Sequence, residues 1–149
     1  MAYRHTQIGH LILFILLVLA LFYIWLYQTI SAEDGSIYFA TLIMASVLLI
    51  LASFTTLQVA IDEKYLKIKF GYGIFKKEFL LDKIVSVKRV KNHWYYGWGI
   101  RLWLWPRMLI FNISGFDAVE IKMEDGKIYR IGTDEPEKLE QAIAQSIRR

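Results

Sequence analysis

The side chains that could do chemistry are few, and their spacing does not assemble a reaction centre. Three histidines, His5, His10 and His93, are not at metal-ligand spacing, and the first two lie beside the apolar front of the chain. Cysteine is absent, which removes thiol nucleophiles, thiolate metal sites and any disulfide framework. Gly71-x-Gly73 and Gly97-x-Gly99 lack the third glycine and the strand-to-helix setting of a phosphate cradle. Asp82 and Asp117 are of the right type for acid–base work, but nothing in the sequence brings them together. An enzyme is therefore not expected, and no cofactor or metal is implied.

Binding chemistry is better represented. Lys67, Lys69, Lys76 and Lys77 flank one candidate hairpin, and a cation beside an anionic leaflet is worth about 1 kcal/mol before salt screening. Residues 92–105 hold four of the five tryptophans, so Trp94, Tyr95, Tyr96 and Trp98, with Arg101 and Arg107 nearby, have two readings. A small domain needs aromatic bulk in its core, whereas rings among cations also form a belt at a membrane interface. Stacking on single-stranded nucleic acid is a third use of such rings. It is not expected here, because the net charge of +4 is modest and a membrane anchor already accounts for a positive cytoplasmic side.

That anchor is the strongest signal in the chain. No Lys or Arg occurs in residues 8–61, whose only Asp and Glu residues are Glu33 and Asp34, while seventeen of the eighteen basic residues follow Asp62. Residues 8–27 are almost unbroken Leu, Ile, Phe, Val and Trp, and at about 1.5 Å per residue they reach about 30 Å, one hydrocarbon core. Residues 37–54 form a second run of similar character. The expected organisation is a short cytoplasmic flank (1–7), a transmembrane hairpin (8–55, with helices 8–30 and 37–55 and a tip at 31–36), and a cytoplasmic domain (56–149). Arg4 before the first run and Lys64, Lys67 and Lys69 after the second place both termini in the cytoplasm of a multi-pass inner-membrane protein. A cleaved signal peptide fits less well, because the apolar run exceeds a typical h-region. Thr41, Ala45, Ala52 and Thr56 would give the second helix a small-residue face for close packing. His10 falls about one turn inside the first helix, near the interface.

Beyond residue 55 the period changes to two. Residues 56–61, 65–70, 74–81, 84–90, 108–113, 118–124 and 127–132 read as seven strands, with turns at Asp62-Glu63-Lys64, Gly71-Tyr72-Gly73 and Asp125-Gly126. At the last turn a three-residue loop with Gly126 left-handed would align Val119 with Ile131, Glu120 with Arg130 and Ile121 with Tyr129, which segregates apolar from charged pairs. Asp134, Pro136 and Glu137 should start a final helix whose stripe is Leu139, Ala142, Ile143 and Ile147. Asn112-Ile113-Ser114 matches a glycosylation sequon by chance, since a cytoplasmic strand never meets that machinery.

Tyr95-Tyr96-Gly97-Trp98-Gly99-Ile100-Arg101, Ser114-Gly115-Phe116-Asp117-Ala118-Val119-Glu120 and Ile131-Gly132-Thr133-Asp134-Glu135-Pro136 carry a resemblance to the bacterial membrane-associated PH-like proteins, in which a transmembrane hairpin precedes one pleckstrin homology superfold. It implies a bent seven-stranded antiparallel sheet or barrel capped by the C-terminal helix. The run 102–110 departs from it in being more apolar than that loop should be. The superfold serves lipid binding, peptide binding and self-assembly alike. The expectation is a non-catalytic interaction module that scaffolds a membrane protein partner or its own oligomer. The alternative is a sensor of anionic lipid headgroups at the cytoplasmic leaflet through Lys67, Lys69, Lys76 and Lys77.

Overall fold

The apolar helices do not precede the domain; they interrupt it. Residues 3–30, 35–104 and 107–148 are described by the structure, a computed structural model. The chain forms β1 (Tyr3–Ile8), α1 (His10–Thr29), α2 (Ser36–Ala52), β2 (Thr56–Ile61), β3 (Tyr65–Phe70) and β4 (Phe75–Leu80). It continues through β5 (Ile84–Lys91), β6 (Gly99–Leu104), β7 (Arg107–Asn112), β8 (Asp117–Met123), β9 (Ile128–Gly132) and α3 (Pro136–Ile147), with single 3-10 turns at Leu81–Lys83 and Trp94–Tyr96.

Residues 1–7, expected to be a flank, thus contain a strand. Backbone pairing of β1 with β2 places Ile8 opposite Thr56 and Tyr3 opposite Ile61, and the Gly9 amide donates to the Thr55 carbonyl at 2.7 Å. No apolar alternation betrays β1 because its inward side carries polar groups: the Tyr3 hydroxyl bonds Glu135, His5 bonds Asp134, and Gln7 Nε2 donates to the Ser114 carbonyl. The sheet-forming part of the chain is therefore discontinuous, built from residues on both sides of the helices.

β1, β2, β3 and β4 form one antiparallel sheet in that order. The second sheet runs β5-β8-β9-β7-β6. Here β9 lies between β7 and β8, antiparallel to β8 but parallel to β7, so residues 113–116 carry the chain across two strand spacings, about 10 Å. Among the described residues there are nine strands in two open sheets and no closed barrel, where seven strands in one bent sheet were expected. The additions are β1 and β6, the latter inside the tryptophan-rich segment. Period two holds elsewhere, and the β8–β9 register is the one that segregates apolar from charged pairs, with Gly126 at φ +86°.

One core joins the two sheets. Leu57, Val59, Ile61, Leu66, Ile68, Phe70 and Phe79 from the first meet Phe111, Val119, Ile121 and Ile131 from the second, and Leu139 and Ile143 of α3 close it. The helix packs on β5 and β8 and reaches β2. It starts later than expected: Glu135 is the residue before it, Asp134 does not cap it, and Thr133 Oγ1 instead accepts from the Glu135 amide at 3.0 Å. Asp134 and Glu137 are engaged elsewhere, by His5 and Arg89.

α1 and α2 lie side by side, with a hydrogen bond between Tyr23 Oη and Thr41 Oγ1. On α1 the less exposed positions are Ile12, Leu16, Leu19, Tyr23 and Leu26; on α2 they are Ile37, Ala40, Met44, Leu48 and Leu51. Steps of three and four residues make these the packing seams of a helix pair. Of the small-residue face expected on α2, Thr41 meets Tyr23 of α1 and Ala52 is half-buried, whereas Ala45 is exposed and Thr56 belongs to β2. His10 is the exposed first residue of α1 rather than one turn inside it. The remaining helix surface is apolar and open, including Phe14, Leu17, Leu21, Trp25, Phe39, Leu42 and Leu49. α1 has the length and mean hydropathy, 2.5, to cross a bilayer, with 6% of its most apolar window buried. α2 is as apolar in character but shorter, at 17 residues.

Candidate functional site

Strand register decides which of the four candidate lysines can act together. On the outer face of the first sheet one row across the strands reads Thr6, Gln58, Lys69, Lys76, and the next reads Arg4, Ala60, Lys67, Glu78. Lys67, Lys69 and Lys76 therefore share a face, and Arg4 joins them from β1. Lys77 does not. It pairs with inward-facing Ile68 and lines a second groove, bordered also by Lys76, with Phe70, Ile74, Phe75, Ile100, Leu109 and Phe111. Arg4 lies against Gln58, whose amide oxygen, turned toward the guanidinium, accepts from Nε at 2.5 Å and Nη2 at 2.7 Å. With Ala60, Ile68 and Glu78 these residues line a shallow depression of about 250 Å³. In the sequence Arg4 stood out only as a flanking cation and Gln58 not at all, because their part in this face depends on β1 being a strand.

The cations are not equivalent. Lys67 Nζ is 2.7 Å from Asp62 Oδ2 and 5.7 Å from the centre of the Tyr65 ring. That ammonium, with the backbone amides of Lys64 and Tyr65, holds the Asp62 carboxyl at about 2, and Asp62 in turn raises the Lys67 amine. Lys67 is committed to its own sheet. Among the described residues Lys69, Lys76 and Lys77 have no acidic partner within 4.0 Å. Lys69 faces Lys76 directly across the β3–β4 ladder, and like charges so placed destabilise a sheet. An anion between them would remove that cost.

The tryptophan-rich segment divides between core and surface. It folds over the outer face of the second sheet, where Tyr96 and the partly buried Trp103 cover Met108 and Ile110. Tyr96 is buried, and its ring lies 5.6 Å from the Arg130 guanidinium. Arg130 Nε pairs with Glu120 Oε2 at 2.9 Å with both side chains largely shielded, and Nη1 reaches Asn92 Oδ1 at 3.3 Å. Trp94 and Tyr95 remain on the surface, 75% and 49% exposed, and His93 stacks on Tyr95. Trp98 turns away from this cluster toward Phe116, with ring centres 6.4 Å apart. Arg101 is spent on the Trp98 carbonyl at 3.0 Å, while Arg107 lines a groove with Leu102, Met108 and Tyr129. Trp105 and Pro106 lie outside the described residues. The exposed side of β6 carries Ile100, Leu102 and Leu104, and β6 is the free edge of its sheet.

Among the described residues no group of three or more His, Cys, Asp and Glu side chains is arranged to hold a metal ion. Asn112 is buried, its amide donating to the Gly115 carbonyl at 2.9 Å. No protein-family model matches the chain, and no curated protein shows significant similarity to it.

Proposed function

We propose that this chain is a membrane-anchored, non-catalytic interaction module: α1 and α2 cross the inner membrane as a hairpin, and the two-sheet domain presents a fixed edge to a partner at the cytoplasmic face. The observation that carries the reading is the pairing of Ile8 with Thr56 and of Gly9 with Thr55. Strands hydrogen-bonded to one another lie on the same side of any bilayer. The intervening helices must then cross twice or not at all, and an odd number of spans is incompatible with β1–β2 pairing. Crossing is favoured over not crossing by the outward side chains, since a helix apolar on all sides belongs in a core or in lipid. Arg4, Lys64, Lys67 and Lys69 near the strand ends favour the cytoplasm for the domain. On this reading the domain is a variant of the PH-like plan, from which it departs by the added strands β1 and β6 and by the parallel β7–β9 pair.

The docking edge is β6, whose unpaired backbone and exposed Ile100, Leu102 and Leu104 suit an added strand or an apolar partner face. Confinement to a membrane raises effective concentration enough for such a modest contact to suffice. Single cysteines in this cysteine-free chain test the topology: Ser36→Cys should react with an impermeant maleimide in intact cells, and Val85→Cys only after lysis. The reverse pattern overturns the reading. A photo-crosslinker at Leu102 should then capture a membrane protein or a second copy of the chain.

A second reading, recognition of anionic headgroups, is favoured by the unneutralised Lys69–Lys76 pair. Its mark is enrichment of anionic lipid around the purified chain, lost in the Lys69→Gln/Lys76→Gln variant.

A further inference from the structure

The β3–β4 turn has a composition that a water-exposed turn does not need. Gly71 and Gly73, at φ +46° and +90°, shape it, yet between and after them stand Tyr72, Ile74 and Phe75, which are 65%, 69% and 38% exposed. Turn tips are ordinarily polar. This one is also fixed in place: the Gly71 amide donates to the Thr56 carbonyl at 2.9 Å, and Gly71 sits so close to Ser53 that a Cβ there would fall 2.5 Å from the Ser53 carbonyl oxygen. Ser53 is the residue that ends α2. Phe75 stacks on Phe54 with ring centres 5.0 Å apart, and Phe54 meets Phe70 at 5.3 Å. The tip is thus clamped beside the root of an apolar helix, with Lys69, Lys76 and Lys77 immediately behind it.

We infer that the β3–β4 tip is a membrane wedge: Tyr72, Ile74 and Phe75 enter the boundary between headgroups and acyl chains, while Lys69, Lys76 and Lys77 engage lipid phosphates. This rests on the membrane reading of α1 and α2, and names the lipid surface as a partner of the domain itself. Apolar and aromatic side chains backed by cations are the composition that partitions to that boundary. Geometry supplies the depth. The Lys69–Lys76 row lies two residues from the Ile8–Thr56 pair at the helix roots, about 7 Å at strand rise and within one Debye length of the surface. Lys67 and Arg4, two residues further along, stand about 13 Å away and contribute less. The wedge and the two helix roots are separate points on one rigid sheet, so together they fix the tilt of the domain.

The full chain is reconstituted in vesicles of neutral and anionic phospholipid, with a polarity-sensitive fluorophore on one introduced cysteine: Ile74→Cys, Leu17→Cys on α1, or Val85→Cys on β5. Quenching by lipids spin-labelled at the shallow end of the acyl chain is read for each. The wedge requires a blue-shifted, lipid-quenched signal at 74, quenching at 17 and none at 85. Quenching at 17 with a water-like signal at 74 overturns the wedge and leaves the anchor standing. Water-like signals at both overturn the anchor and the wedge together. In the Lys69→Gln/Lys76→Gln/Lys77→Gln background, quenching at 74 should fall in anionic vesicles; if charge removal leaves it unchanged, the phosphate part of the inference fails.

Discussion

His5 Nε2 lies 2.5 Å from Asp134 Oδ1, and His5 Nδ1 lies 3.4 Å from Glu135 Oε2, so the strand before the two apolar helices is tied to the loop before the last helix. The tie spans 129 positions of sequence. Together with Tyr3 Oη, which donates to Glu135 Oε2 at 3.4 Å, it fastens β1 over the edge of β2.

Excision of the helices should respect that arrangement. A chain of residues 56–149 alone leaves the β2 edge unpaired and should aggregate or unfold at lower urea than a variant in which residues 10–53 are replaced by an Asn-Gly turn. The second variant should be soluble, because Gly9 and Thr55 are already hydrogen-bonded neighbours. Urea titration with size-exclusion chromatography compares the two.

His5→Ala and Asp134→Ala should each destabilise the excised domain by about 0.2–1 kcal/mol, the range for a partly exposed polar pair of this kind. Their effects should fall short of additive in a double-mutant cycle, since both remove one contact.

Tyr3 supplies a pH signature. Burial, then the nearby Glu135 carboxylate, push its phenol from about 10 up to about 12. The folded state holds that proton more tightly, so the stabilisation is complete below pH ~10 and is lost as pH rises toward 12. Tyr3→Phe should flatten the alkaline decline. Glu135 runs the other way: Lys138 above all, with His5, lowers its carboxyl, so its contribution is present above the ordinary glutamate range and fades on acidification. Thermal melts across both limbs read these slopes.

Glu120→Ala should be costly. It leaves Arg130 charged and shielded beneath the Tyr96 ring, a change worth about 3 kcal/mol. Glu120→Ala combined with Arg130→Met should recover much of the loss, and urea midpoints test both.

Gly71→Ala should destabilise by about 2 kcal/mol, because it combines positive φ with a clash against the Ser53 backbone. Gly126→Ala, at φ +86° in open space, should cost about 1 kcal/mol. The difference isolates the clamp between the β3–β4 turn and the end of α2.

Period two was legible wherever one face of a strand meets oil: Leu57 through Ile61, Leu66 through Phe70 and the β8–β9 hairpin follow from alternation alone. β1 was hidden because Tyr3, His5 and Gln7 turn polar groups inward to partners more than a hundred residues away. β6 was hidden because Ile100, Leu102 and Leu104 are apolar but exposed, which reverses the usual signal. Alternation puts Lys67 and Lys69 on one side of β3, but the four lysines were read together as one cluster, and Lys77 parts from Lys76 because successive residues of a strand face opposite ways. The wedge could have been noticed: Tyr72, Ile74 and Phe75 crowd a glycine turn where polar residues are the rule.

The split architecture also orders events during biosynthesis. β1 leaves the ribosome before either helix, and its hydrogen-bonding partner emerges only after both. If α1 and α2 insert as proposed, the nascent strand waits on the near side of the membrane, unpaired, while the helical residues between β1 and β2 enter lipid. On that reading the β1–β2 pair can close only once both helices are in place, so a chain with just one of them inserted would keep β1 and β2 on opposite sides and present an open edge to proteases.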